Sequence, residues 1–237
     1  MKGVAVLFSG AKDSAFAIYK AMNMGFKVKF LVTLVPENKE SYMFHHPNVQ
    51  WTTLQSEAME IPLIKRETMG EKENELEDLR DVLESIKDEI DGVVSGALDS
   101  RYQRTRIDDI CRDLGLESIS PHWGRETGVY LEELINAGFE VIITSVAAEG
   151  LGEEWLGRRL DHEALKDLAK LQKKYGIHRG GEGGEYESFV LDCPIFRKKI
   201  RVISARKEWD GVSGHYVIEN AELVDKTVIR QPDQEPH

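Results

Sequence analysis

The chain has 237 residues, 41% of them hydrophobic and 31% charged, a balance that buries a sizeable core and excludes a disordered polymer. A formal net charge of -11 argues against general affinity for nucleic acid or anionic membrane, which clustered Lys and Arg would drive. The two cysteines, Cys111 and Cys193, lie far apart without CxxC spacing, which argues against a disulfide framework and fits a reducing, cytoplasmic compartment.

From the N-terminus the pattern alternates. Val4 to Phe8 predicts a buried parallel strand, and Ser14 to Met24 predicts a helix ended by Gly25. Lys27 to Leu34 (strand), Asn48 to Met59 (helix), Pro62 to Arg66 (strand) and Glu73 to Ile90 (a long amphipathic helix) follow. Asp91 to Ala97 predicts a fourth strand, Arg104 to Leu114 a helix closed by Gly115, and Ser118 to Ser120 a short fifth strand. Strands alternating with helices imply a parallel sheet covered on both faces, an α/β fold.

Beyond Trp123 the grain changes. A helix from Thr127 to Asn136, a strand from Phe139 to Val146 and a helix from His162 to Tyr175 precede the glycine-rich GIHRGGEGGEYESF. Strands at Lys199 to Lys207 and His215 to Asp225, joined by a turn at Asp210-Gly211, close the chain as an antiparallel pair. These patterns divide it into residues 1–120 and a smaller α+β domain at 121–237. No apolar stretch reaches the length of a membrane span, and Val4 to Phe8 is too short for a signal sequence.

FSGAKDSA, Phe8 to Ala15, lies where the first strand hands over to the first helix. That edge of a parallel sheet is where open α/β folds bind ligands, and an uncapped helix N-terminus attracts anions. Gly10 allows close backbone approach, Lys12 adds a cation, Ser9 and Ser14 offer hydroxyls, and Asp13 can bind magnesium or cap the helix. A polar turn without ligand is the plainer alternative. There is no GxxxxGK[ST] or GxGxxG pattern here.

SGAKDS resembles the SGGxDS pyrophosphate loop of the N-type ATP pyrophosphatases, or PP-loop enzymes, with Ala11 in place of the second glycine. The resemblance implies a five-stranded Rossmann-like sheet of the adenine nucleotide alpha hydrolase-like kind, ATP and Mg2+ as cofactors, and ATP contacts from Ser9, Gly10, Ala11, Lys12, Asp13 and Ser14. SYMFHHPN (Ser41 to Asn48), GALDSRYQRTRIDDICRDLGL (Gly96 to Leu116) and above all GEGGEYESFVLDCP (Gly181 to Pro194) are similar to one subgroup, the diphthine ammonia ligases or diphthamide synthases. Membership implies adenylation of the carboxylate of diphthine on translation elongation factor 2, followed by attack of ammonia and release of AMP. An activated acyl group splits one hard step into two easier ones.

Charge on the phosphates calls for Lys12, the helix terminus, magnesium at Asp13, and one or more of Arg101, Arg104 and Arg106, with Arg104 the chosen nucleotide contact. Glu182 and Glu185 are the expected catalytic carboxylates for substrate or ammonium, beside Lys12 and Asp13, because diphthine carries a quaternary ammonium. Gly183, Gly184, Tyr186 and Glu187 from the same stretch, with Tyr102 and Gln103 at the facing turn, complete the expected substrate contacts. A solvated acidic turn is the alternative for the glutamates.

The adjacent His45 and His46 lack metal-ligand spacing and fit better as part of the pocket wall. Trp155 in EEWLGRRLD reads equally as core or as a docking anchor beside Arg158 and Arg159. Expected partners are diphthine-bearing elongation factor 2 and free ammonium, with a homodimer on general prevalence, and neither nucleic acid nor membrane. Rival readings are a PP-loop enzyme acting on a transfer RNA base or small carboxylate, and a non-catalytic ATP-binding regulator.

Overall fold

The computed structural model describes residues 1–36, 48–69 and 72–226. Its first half is a parallel sheet in the order β3-β2-β1-β4-β5, built from β1 (Gly3–Leu7), β2 (Lys27–Pro36), β3 (Leu63–Thr68), β4 (Gly92–Val94) and β5 (Glu117–Ile119). Helices α1 (Lys12–Asn23), α2 (Thr52–Met59), α3 (Lys72–Ile86) and α4 (Arg101–Leu114) lie in the connections. The order of strands reverses between β1 and β4, which makes the loops after those two strands the natural walls of a ligand crevice.

Alternation along β1 sends its residues to two different cores. Ala5, with Val32 and Val93, packs against Leu79 and Leu83 of α3 and Ile107 and Ile110 of α4. Val4 and Val6 point to the other face, onto Phe16 and Ile18 of α1, in a core that runs on into the second half. That half contains α5 (Thr127–Asn136), β6 (Glu140–Val146), α6 (His162–Tyr175), β7 (Tyr186–Asp192), β8 (Lys198–Trp209) and β9 (Gly214–Asp225), with an antiparallel sheet in the order β7-β6-β9-β8. Phe16 meets Phe139 edge to face at 5.2 Å between ring centroids and Tyr130 at 5.6 Å. Helix α1 is therefore packed between the two halves, and apolar contact crosses the expected boundary near residue 120.

Several departures from the sequence pattern have local causes. The fourth strand stops at Val94, which frees Ser95–Asp99 as loop, and α4 starts at Arg101 because the Ser100 hydroxyl caps it by accepting the Gln103 N–H. Helix α6 keeps its expected bounds, capped by Asp161 on the Ala164 N–H at 2.9 Å and closed by Gly176 in the left-handed region. The glycine-rich segment delivers a further strand, β7, in which Tyr186, Ser188, Phe189 and Val190 are buried. Trp155, at 3% exposure, is core, with the Arg158 guanidinium 4.2 Å from its ring centroid. Both cysteines are free and buried. Among the described residues no helix is long and apolar enough to cross a membrane. His45, His46 and the tail from residue 227 lie outside the described residues.

Candidate active site

A cleft of about 420 Å³ opens at the carboxyl ends of β1 and β4. Three segments wall it: the loop between β1 and α1, the loop between β4 and α4, and the segment Gly181–Gly184 with Glu187 that surrounds the start of β7. Leu7, Phe8, Val32 and Leu34 supply an apolar side, suited to a flat base.

The first loop is shaped for an anion. Gly10 takes φ +82, a conformation that favours glycine, and Ala11 keeps φ -78, so its methyl is accommodated. The N-cap residue of α1, Ala11, has no side-chain acceptor to offer its first turn. Ser14 closes the loop instead, donating to the Ala11 carbonyl at 3.1 Å and accepting the Ser9 N–H at 3.2 Å. Gly96 presses on the same helix start: a Cβ there would lie 2.7 Å from the Asp13 carbonyl carbon and 2.8 Å from the Ser14 nitrogen.

The second half holds this loop in place. The Lys12 N–H donates to Ser188 Oγ at 3.2 Å, and the Val190 N–H donates to the Gly10 carbonyl at 3.1 Å. Lys12 Nζ donates to the Gly180 carbonyl at 2.6 Å and to Asp13 Oδ2 at 2.9 Å, above the ring of Tyr186 at 5.1 Å from its centroid. Tyr130, buried to 1% exposure, donates from its hydroxyl to Asp13 Oδ1 at 2.6 Å.

Charge in this small volume is strongly coupled. Burial alone would lower the Lys12 ammonium, but the charge and hydrogen bond of Asp13, with Tyr186 and Glu182, together outweigh it and hold the group above its ordinary pKa. Burial and the negative charge of Asp13 push Glu182 up to about 7, against the opposing pull of Lys12. Glu182 also accepts the Asp99 N–H at 3.4 Å, which links the β4–α4 loop to the segment before β7. A cleft carboxyl poised near neutrality can exchange a proton at working pH.

Similarity to known proteins covers nearly the whole chain. The diphthamide synthase N-terminal domain matches residues 1–118, and the diphthamide synthase C-terminal domain matches residues 126–224. The chain belongs to the diphthamide synthase family. It is 38% identical to the diphthine–ammonia ligase of Bos taurus over 85% of this chain and 83% of that protein. For the diphthine–ammonia ligase of Homo sapiens the identity is 37%, over 85% and 83%. For that of Saccharomyces cerevisiae it is 32%, over 83% of this chain and 34% of the longer yeast protein.

In this diphthamide synthase family member, Ser9, Ala11, Asp13, Ser14, Gln103, Glu182, Gly183, Gly184 and Glu187 of the expected site residues line the cleft. Gly10 lies behind it and shapes the loop. Lys12 does not line the cleft either: it is buried, with its ammonium held by the Gly180 carbonyl and Asp13. Four others are also placed differently from expectation. Glu185 is turned to its own segment, accepting the His178 N–H and the Gly183 N–H at 2.8 Å each, because a tight glycine turn leaves those donors in need of an acceptor. Tyr186 is core, with its hydroxyl on the Arg179 carbonyl at 2.7 Å. Arg104 lies over the Trp123 ring at 4.3 Å and pairs with Asp108 at 3.5 Å, so its charge is not delivered to the cleft. Tyr102 carries the Arg106 guanidinium on its ring at 3.7 Å. Tyr130, Gln55, Ser188 and Gly96 were outside the sequence expectations. Gly96 and Ser188 had a local signal, each lying in a stretch similar to the diphthamide synthases.

Proposed function

We propose that this chain is an ATP-dependent ligase that converts diphthine on translation elongation factor 2 to diphthamide, consuming ammonium and releasing AMP and pyrophosphate. The observation that carries the reading is a single cleft that joins an uncapped, glycine-bent helix start to the GEGGE segment, in a chain that belongs to the diphthamide synthase family. Residues 1–120 supply the nucleotide side, and residues 121–237 supply the acceptor side.

The diphthine carboxylate oxygen attacks the α-phosphorus of ATP, the bond to the β-phosphate oxygen breaks, and pyrophosphate leaves. Ammonia then attacks the acyl carbon and AMP departs. The N–H groups of Asp13 and Ser14 in the first turn of α1, with the Ser9 and Ser14 hydroxyls, face the pyrophosphate, where oriented donors offset developing charge without reorganisation. Glu182 takes the proton that turns ammonium into the nucleophile, a task its pKa near 7 suits. Asp13, a carboxylate at the cleft with each oxygen keeping a second lone pair, fits magnesium, which when bound would offset phosphate charge.

The experiment is incorporation of heavy-isotope ammonium nitrogen into elongation factor 2. Label is expected in the diphthine-bearing peptide only when ATP is supplied. Labelling without ATP, or none with all three substrates, overturns the reading.

A further inference from the structure

Gln55 of α2 is fully buried, at 0% exposure, and far from the first loop in sequence. Its side-chain nitrogen donates to two backbone carbonyls, Gly10 at 2.9 Å and Val190 at 2.9 Å, while its Oε1 has no partner among the described residues. That oxygen would sit 2.5 Å from a Cβ on residue 10. A buried amide with an unsatisfied oxygen is costly, and an apolar side chain of equal length would avoid the cost unless the two donated bonds matter.

Their effect follows from the planar trans peptide, in which the carbonyl of residue 10 and the N–H of residue 11 point in opposite directions. Gln55 and the Val190 N–H hold the Gly10 carbonyl on the buried side. The Ala11 N–H is thereby turned the other way, where it donates to Ser9 Oγ at 3.3 Å, and both Ser9 and Ala11 line the cleft. Glycine at position 10 lowers the barrier to rotating this peptide, and rotation would present a carbonyl oxygen to an anion.

We infer that Gln55 is a positioning residue that fixes the Gly10–Ala11 peptide with its N–H toward the pyrophosphate portion of ATP. The inference rests on the nucleotide reading proposed above and names a residue that acts through the loop without touching substrate.

The test is calorimetric binding of inorganic pyrophosphate, α,β-methylene-ATP and AMP to the full chain and to its Gln55→Met and Gln55→Asn variants, each checked for folding by circular dichroism. Methionine keeps the length and loses the donors; asparagine keeps the donors one methylene short. Pyrophosphate and α,β-methylene-ATP are expected to bind roughly tenfold more weakly to a folded variant, with AMP affinity changed by less than about threefold. An equal loss for all three ligands, or none in a folded variant, marks Gln55 as merely structural and overturns the inference. If the unaltered chain binds none of the three, the nucleotide reading itself falls, a result distinct from a failure of Gln55 alone.

Discussion

Lys12 Nζ lies 2.6 Å from the carbonyl oxygen of Gly180, so the buried cation of the first loop is held by the backbone of the segment that delivers Glu182. The same ammonium pairs with Asp13. One side chain thus ties the nucleotide side of the cleft to the acceptor side, and the two cannot be altered independently.

Replacing Lys12 by methionine removes that tie and leaves the Gly180 carbonyl and part of Asp13 without a partner. ATP turnover is expected to fall by about a hundredfold or more, as for loss of one oriented charge in a water-poor site. Stability should drop by about 2 kcal/mol, because one member of a buried pair is orphaned. AMP release and urea unfolding of the variant read the two effects separately; unchanged turnover would remove Lys12 from the reaction.

Gly96→Ala puts a methyl carbon 2.7 Å from the Asp13 carbonyl carbon, a backbone atom that cannot swing aside. The expected cost is about 2 kcal/mol of stability, with weaker ATP binding because the start of α1 must shift. Wild-type stability and ATP affinity in this variant would contradict the packing described.

Glu182 is held in the folded state at about 7, above its ordinary value of 4.5, by burial and by Asp13. The folded chain therefore binds this proton more tightly than the unfolded chain. The associated stability is present below pH 4.5 and is lost as pH rises toward 7. Glu182→Gln should raise stability at pH 8 by about 1 kcal/mol, reduced from the full shift because the side chain is partly exposed, with no gain at pH 4. Thermal melts at the two pH values check this, and the same variant should lose ammonia-dependent turnover.

His122 gives the opposite slope. It is 1% exposed, stacked on Phe16 at 5.1 Å between centroids, and its Nε2 has no partner among the described residues. Burial lowers its pKa from 6.5 to about 4, Asp13 notwithstanding. The unfolded chain takes up this proton first, so stability is lost as pH falls from 6.5 toward 4. His122→Phe should keep the stacking and remove about 2–3 kcal/mol of that acid sensitivity. Melting curves between pH 4 and 7 that are parallel for the two proteins would contradict it.

The parallel sheet was legible because its strands are apolar runs and its helices carry apolar residues at helical spacing, as Ile107 and Ile110 show. The loop at Ser9–Ser14 was legible because a glycine, a cation and hydroxyls stand together at a strand end. β7 was hidden, since five glycines between residues 176 and 184 read as loop, whereas the strand is specified by pairing with β6. The partners of the loop were hidden for a related reason. Gln55, Tyr130 and Ser188 are ordinary residues of helices and a strand, brought to the loop only by the packing of α1 between the two halves. Arg104 misled because charge beside a ligand edge says nothing of the Trp123 ring that holds it.

In the proposed reaction the cleft splits ATP between its α and β phosphates to activate diphthine. The most direct measurement is product analysis of ATP turnover by the purified chain with ammonium and elongation factor 2 carrying either diphthine or unmodified histidine. AMP and pyrophosphate in equal amounts, formed with the diphthine protein alone, is the predicted result; ADP, or AMP formed equally with both proteins, would contradict it.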